Sequence, residues 1–352
     1  MRLPASVFPF SAITGQEDAK HALLLSAVDP SIGGVLIFGD RGTGKSTVVR
    51  ALAQLLPKQK VVRGCPYRCH PDAVTKNCEL CRASKDAAIT RTARETTPVV
   101  DLPLGSTEDR IIGTLDLEKA LTQGIKTFQP GLLAQANRGY LYIDEINLLE
   151  DHLVDLLLDV AASGENLVER DGLSLRHAAR FVLVGSGNPE EGELRPQLLD
   201  RFGLAIDVAT PGDIKTRVEI VRRRSTYDLD PEGFVTRYKR KDASIRRKIL
   251  SARDRLPDVT VSDQVLETTA ALCLKVKSDG LRGELTLVRA AKATAALDGA
   301  IEVTDAHLQR VARMALRHRL RRDPMDESGS DARIDRAVSE TFAPVPKNED
   351  GR

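Results

Sequence analysis

Gly39-Asp40-Arg41-Gly42-Thr43-Gly44-Lys45-Ser46 is the stretch on which the reading of this chain turns. A glycine, four residues and then Gly-Lys-Ser is the P-loop spacing. The glycines let successive backbone amides curl around phosphate oxygens, and a helix starting at the lysine aims its N-terminal amides at the same charge. Lys45 then reaches the β- and γ-phosphates of ATP, Ser46 offers its hydroxyl to the accompanying Mg²⁺, and Thr47 completes the binding stretch. The flanks agree. Residues 35–38 are a short apolar run after Gly33-Gly34, which predicts a buried strand. Residues 47–56 have a helical period that stops at Pro57.

Outward from the loop, a second apolar run at 140–143 delivers Asp144-Glu145 to a strand end. Downstream of a P-loop this predicts that Asp144 holds Mg²⁺ through water and that Glu145 orients and polarises the attacking water. Read alone, it is an ordinary strand exit. A third strand is expected at 181–184, closed by Gly185-Ser186-Gly187, and a fourth at 204–208. Asn188 follows the third strand, where a polar side chain sits between γ-phosphate and water; a turn-forming Asn before Pro189 is the plainer alternative. Arg201, in Pro196-Gln-Leu-Leu-Asp200-Arg201, is a candidate arginine finger acting on a neighbouring subunit's ATP, or a surface Arg paired with Asp200. A finger acting between subunits requires a closed ring of copies of this chain.

Strands alternating with helices predict an α/β domain with a parallel, helix-covered sheet. The division expected is 1–213 for nucleotide binding, 214–258 for a helical arm, and 259–352 for a helical bundle and tail. Between Lys215 and Arg255 stand 14 basic and 6 acidic residues, a charged helical stretch. From 262 to 319 the pattern is helical throughout, with Ser262 and Thr304 as N-caps. The tail from Pro324 reads as loosely held, with one more helix available at 334–342. The 352 residues carry 41% apolar and 29% charged side chains and a net charge of +2, so no global field draws the chain to nucleic acid or membrane. With no Trp and 4% aromatics, base-stacking platforms are not expected. No apolar run spans a bilayer and no signal core opens the chain, which predicts the cytosol, or a plastid stroma.

Lys45 and Asp144 stand unusually far apart, so the domain holds inserts. With these go FPFSAITGQE at 8–17, VVDLPLG at 99–105, IDEINLL at 143–149, GENLVERDG at 164–172 and GNPEEG at 187–192. From about residue 8 to 319 the chain resembles the ATPase (I) subunits of magnesium chelatase, in the AAA+ clade with an insert in helix 2. MoxR-type remodelling ATPases and the MCM helicases, which bind DNA, belong to the same clade and are the alternatives. The resemblance implies an AAA+ domain with a five-stranded parallel sheet and a helical lid. It implies ATP-dependent rings of six subunits that work with a D subunit and a porphyrin-holding H subunit to insert Mg²⁺ into protoporphyrin. It makes Arg282, which by its own local sequence reads equally as a surface Arg, the sensor 2 candidate, a second cation near the γ-phosphate. It also implies that the 128 region and a hairpin near 169–179 face a pore or partners.

Cys65, Cys69, Cys78 and Cys81, with His70 adjacent, have metal-ligand spacing. Zn²⁺ on four thiolates, or three and a His, a redox pair, and free loop thiols all remain open. Cys273 lies on an apolar helical face, where an inert buried thiol is expected. Basic runs at 222–224, 239–241, 246–248 and 317–322 are read as solvated helix faces and subunit contacts rather than a nucleic-acid surface.

Overall fold

The computed structural model describes residues 7–73, 78, 81, 92–124, 127–170, 173–188, 190, 192, 194–320 and 330–342. Residues 171–172, within the expected hairpin near 169–179, and residues 321–329 and 343–352 of the expected tail lie outside them. Eleven strands are described: β1 (Val35–Gly39), β2 (Gln59–Val62), β3 (Thr92–Glu95), β4 (Val99–Leu102), β5 (Gly113–Leu115), β6 (Phe128–Pro130), β7 (Tyr140–Ile143), β8 (Glu165–Arg170), β9 (Leu173–Ala178), β10 (Val182–Gly187) and β11 (Leu204–Val208). The helices around them are α1 (Glu17–Val28), α2 (Lys45–Leu55), α3 (Glu108–Ile112), α4 (Leu117–Gln123), α5 (Leu132–Ala136), α6 (Asp151–Ser163) and α7 (Pro196–Arg201). Then follow α8 (Ile214–Leu229), α9 (Pro231–Arg255), α10 (Asp263–Val276), α11 (Arg282–Asp298), α12 (Asp305–Leu316) and α13 (Ser330–Thr341).

Five strands form one sheet in the order β11-β1-β10-β7-β4, every pair parallel. Alternate side chains go to opposite faces, as strand geometry demands. Val35, Ile37, Tyr140, Tyr142, Val182, Val184, Leu204 and Ile206 pack with α1 and α2. Leu36, Leu141, Ile143, Leu183 and Ala205 pack with α6 and α7. Burial on both faces explains why the strands read as continuous apolar runs. The fifth strand, β4, carries an exposed Asp101 and a shorter apolar run, so its pattern is weaker. The third strand runs through Gly185-Ser186-Gly187 rather than ending before it. Small residues there let Ile146 and Asn147 lie against the strand.

The arm is two helices, broken where Asp230 caps α9 and Pro231 occupies its first turn. Several of its arginines have structural partners. Arg246 donates to the carbonyl of Leu55 at the end of α2 (2.5 Å), and Arg253 to that of Ala27 near the end of α1 (2.7 Å). Cations at helix C-termini satisfy orphan carbonyls and complement the dipole. Helices α10 to α12 form the bundle. Ser262 caps α10 through Val265 N–H (3.4 Å), and at α12 the partner of Thr304 is His307 rather than an acid or amide. Helix α13 packs firmly, with Ile334 fully buried, so this part of the tail is not loosely held.

Candidate nucleotide site

Three strand ends meet at the carboxyl edge of the sheet, the place where open α/β sheets bind ligands. Between β1 and α2 the loop turns on Gly42 and Gly44, whose φ angles are 78° and 86°. Gly44 is the N-cap of α2. At Gly39 a Cβ would collide with the carbonyl of Val208 on β11, so only glycine lets the loop leave the sheet there. Lys45 Nζ donates to the carbonyls of Gly39 (2.5 Å) and Asp40 (3.0 Å), and Thr43 Oγ1 donates to Asp40 O (2.9 Å). Gln16, in the left-handed conformation that starts α1, donates to Thr43 O and holds the loop from outside.

A cavity of about 360 Å³ lies over this loop, lined by Arg41 to Thr47, Tyr142, Asp144, Glu145, Ser186, Gly187 and Asn188. It therefore brings together the predicted Lys45, Ser46, Asp144, Glu145 and Asn188. Gly39 and Asp40 shape the loop without lining it; Asp40 accepts from Thr210 Oγ1 at 2.9 Å. Asp144 is fixed by two neighbours: Ser186 Oγ donates to Oδ1 (2.5 Å), and Tyr142 OH donates to the same oxygen (3.1 Å). Burial pushes the Tyr142 phenol well up, so it stays a neutral donor. Glu145 faces Arg41 across the cavity mouth at 3.1 Å. Asn188 accepts from Glu190 N–H (3.2 Å), so it makes a local turn and lines the cavity as well. Beside the loop, a smaller pocket of about 250 Å³ is walled by Phe8, Ile13, Thr14, Ile220 and Arg223 and shares Gly42 to Gly44.

The two candidate arginines lie elsewhere. Arg201 reaches Asp155 (2.8 Å) and Asp159 (2.9 Å) on α6, not Asp200. Arg282 is the residue that pairs with Asp200, at 2.8 Å. Asp200 precedes Phe202 and Gly203, which lead into the start of β11, whereas the phosphate loop leaves the finish of β1. The five-residue strand β1 thus separates Asp200, and Arg282 with it, from the phosphate loop of the same chain. Neither arginine lines the cavity. The expectation of a second cation beside the γ-phosphate is thus not met within one chain. Arg319, buried to 6% exposure, anchors the bundle here. It donates to the carbonyls of Phe202 (2.5 Å), Gly203 (3.1 Å) and Asp200 (3.2 Å), and burial lowers its pKa to about 10 against the pull of Asp200.

Over 336 residues the chain is 64% identical to the magnesium-chelatase 38 kDa subunit of Rhodobacter capsulatus, covering 96% of this chain and 94% of that one. The chain belongs to the magnesium-chelatase 38 kDa subunit family. Subunit ChlI of magnesium chelatase from Synechocystis is 50% identical, with 96% and 95% covered. Residues 34–202 match the family described as AAA domain (dynein-related subfamily), and 266–338 the AAA lid domain. Among solved structures, the chain is similar to one in a cryo-EM-based complex between subunits BchI and BchD of magnesium chelatase. That match has 60% identity, a TM-score of 0.53, and coverage of 96% and 99%. A putative ATPase from Cytophaga hutchinsonii shares the fold at 17% identity, with a TM-score of 0.63 over 94% and 91%. Among the described residues no helix is long and apolar enough to cross a membrane.

For a magnesium-chelatase 38 kDa subunit, sequence reasoning missed Tyr142, Ser186, Gln16 and Arg319. The first two were visible as polar residues inside otherwise apolar strands, a pattern that points to a local task. Gln16 stood in the FPFSAITGQE block without a role. Arg319 had no local signal for its role, since the carbonyls of Asp200, Phe202 and Gly203 lie more than 100 residues away.

Proposed function

We propose that this chain is the ATP-hydrolysing motor subunit of magnesium chelatase, which couples hydrolysis to insertion of Mg²⁺ into protoporphyrin IX on the way to chlorophyll or bacteriochlorophyll. The observation that carries the reading is the convergence of Lys45, Ser46, Asp144, Glu145 and Asn188 on one cavity at the carboxyl edge of the sheet. The donor set suits MgATP: a helix N-terminus and an ammonium for phosphate, a hydroxyl and a carboxylate for a hard cation. Bound there, MgATP supplies the scissile γ-phosphate and a cation that neutralises its charge. Amides of 41–45 and Lys45 hold the phosphates, Ser46 and Asp144 face the cation, and the adenine takes the apolar pocket beside Ile13. Glu145 orients water once Arg41 releases it, and Asn188 bridges water and γ-phosphate.

Arg201 and Arg282 complete the site of the next protomer in a ring, since within one chain they lie away from the loop. The motor is placed in residues 1–213, the arm in 214–258 and the lid in 259–352. Ring closure transmits each hydrolysis to a D subunit and then to an H subunit that carries the porphyrin. The Mg²⁺ being inserted is substrate and never binds this chain. The test is reconstitution: this protein, D and H subunits, protoporphyrin, Mg²⁺ and ATP should form the metalloporphyrin. Absence of product where an authentic I subunit succeeds overturns the proposal, and DNA-stimulated hydrolysis would favour a helicase relative.

A further inference from the structure

The four cysteines of the insert stand apart from the nucleotide cavity and have no part in it. Their sulfurs all lie within 4.8 Å of one another. Cys81 Sγ is 3.5 Å from Cys65 Sγ, and Cys78 Sγ is 3.8 Å from it. Four thiolates about 2.3 Å from a tetrahedral Zn²⁺ would be spaced roughly 3.8 Å apart. A disulfide needs about 2.05 Å and joins only two sulfurs. We infer that Cys65, Cys69, Cys78 and Cys81 form a structural tetrathiolate site for Zn²⁺ that staples the segment between β2 and β3 to the body of the domain.

Backbone geometry prepares the site. Val62 N–H donates to Cys69 O (2.9 Å), Cys65 N–H to Val62 O (3.2 Å) and Arg68 N–H to Cys65 O (3.1 Å), with Arg68 in the left-handed region at φ 51°. These turns fold 65 and 69 onto one side, where Cys78 and Cys81 join them. His70 is not a ligand candidate: its Nδ1 accepts from Asp72 N–H at 3.1 Å, and it is not one of the converging groups. Cys69, Cys78 and Cys81 are buried, each at 4% exposure or less. Around them, among the described residues, the apolar support is thin: Tyr67, Ala134, and partly buried Val62 and Leu175. A segment with so small a core gains order from a metal in the way small zinc modules do. Binding releases the thiol protons and leaves four thiolates on a dication, a net charge of two minus. Arg138, which donates to Arg68 O at 3.2 Å, and Arg68 itself supply nearby positive charge.

The site is closed by four protein ligands, which makes it structural rather than catalytic. What it braces is specific. Tyr67, between Cys65 and Cys69, stacks on His177 of β9 with ring centroids 4.8 Å apart, and its carbonyl accepts from Asn137 Nδ2 at 2.6 Å. The metal therefore holds the wall on which the β8–β9 hairpin rests.

The experiment measures metal on the intact chain, independently of ATP turnover. Protein made in zinc-supplemented medium should carry zinc at a ratio near one per chain. Cobalt(II) added to chelator-treated protein should give a tetrahedral ligand-field spectrum with thiolate-to-cobalt charge transfer. A chain with no tightly held metal, octahedral cobalt without charge transfer, or four sulfurs found as disulfides would overturn the site. Cys78→Ser with Cys81→Ser should lose the zinc while retaining MgADP binding; retention of the metal would also overturn it. Should that variant fail to fold, the wild type still decides: the four thiols must become reactive in step with zinc released to a chelator. Failure of the ATPase reading would appear instead as lost nucleotide binding with zinc intact.

Discussion

The carboxyl edge of the sheet and the neighbourhood of Asp200 are both rich in charge, yet they are built in opposite ways. At the edge, Lys45, Ser46, Asp144 and Glu145 line an open cavity together with the glycine loop, Tyr142, Ser186 and Asn188. Around Asp200, three arginines are engaged by carboxylates or carbonyls: Arg282 and Arg319 by Asp200 and its neighbours, Arg201 by Asp155 and Asp159. The first region has a cradle, the second has cations and no cradle. A phosphoryl-transfer site needs both, because charge develops on the transferred group and must be met from several sides. The contrast supports the proposal that one chain carries two half-sites, which two chains in a ring would join.

The largest effect expected is at the cradle. Lys45→Ala should abolish tight MgATP binding or turnover, because it removes the cation that meets the β- and γ-phosphates. Nucleotide titration and steady-state hydrolysis report it, and wild-type values would break the assignment of the cavity. Arg201→Ala should cut hydrolysis about 10³-fold while leaving affinity nearly unchanged. Mixing it with Glu145→Gln chains should restore part of the rate, because some interfaces then pair an intact cradle with an intact arginine. No recovery would dissolve the two-half-site comparison. The smallest effect belongs to the clamp. Arg319→Met should cost about 3 kcal/mol in denaturant unfolding, since the carbonyls of Phe202 and Gly203 lose a buried charged donor. Nucleotide affinity should hold; a fall in affinity with stability intact would place Arg319 in the site rather than behind it.

Legibility followed sequence distance. The loop at 39–46 and the pair Asp144-Glu145 could be read because each works as a contiguous unit whose chemistry is set by residue type and spacing. Strand β4 was harder, its edge position leaving Asp101 exposed within the run. The Tyr142–Ser186–Asp144 arrangement needs β7 and β10 to be neighbours, with Ser186 Oγ 2.9 Å from the Tyr142 hydroxyl. No single segment carries that information.

By itself the sequence determined the phosphate loop, the acidic strand end, the strands flanking them and the thiol spacing of the insert. Each of these rests on local backbone preference or on the chemistry of adjacent side chains. Only the tertiary structure decided where Arg201 and Arg282 stand, which groups fix Asp144, and that four sulfurs spread over seventeen positions converge. Those facts depend on pairings between distant segments, and such pairings are set by how buried faces pack, which no short stretch of chain encodes.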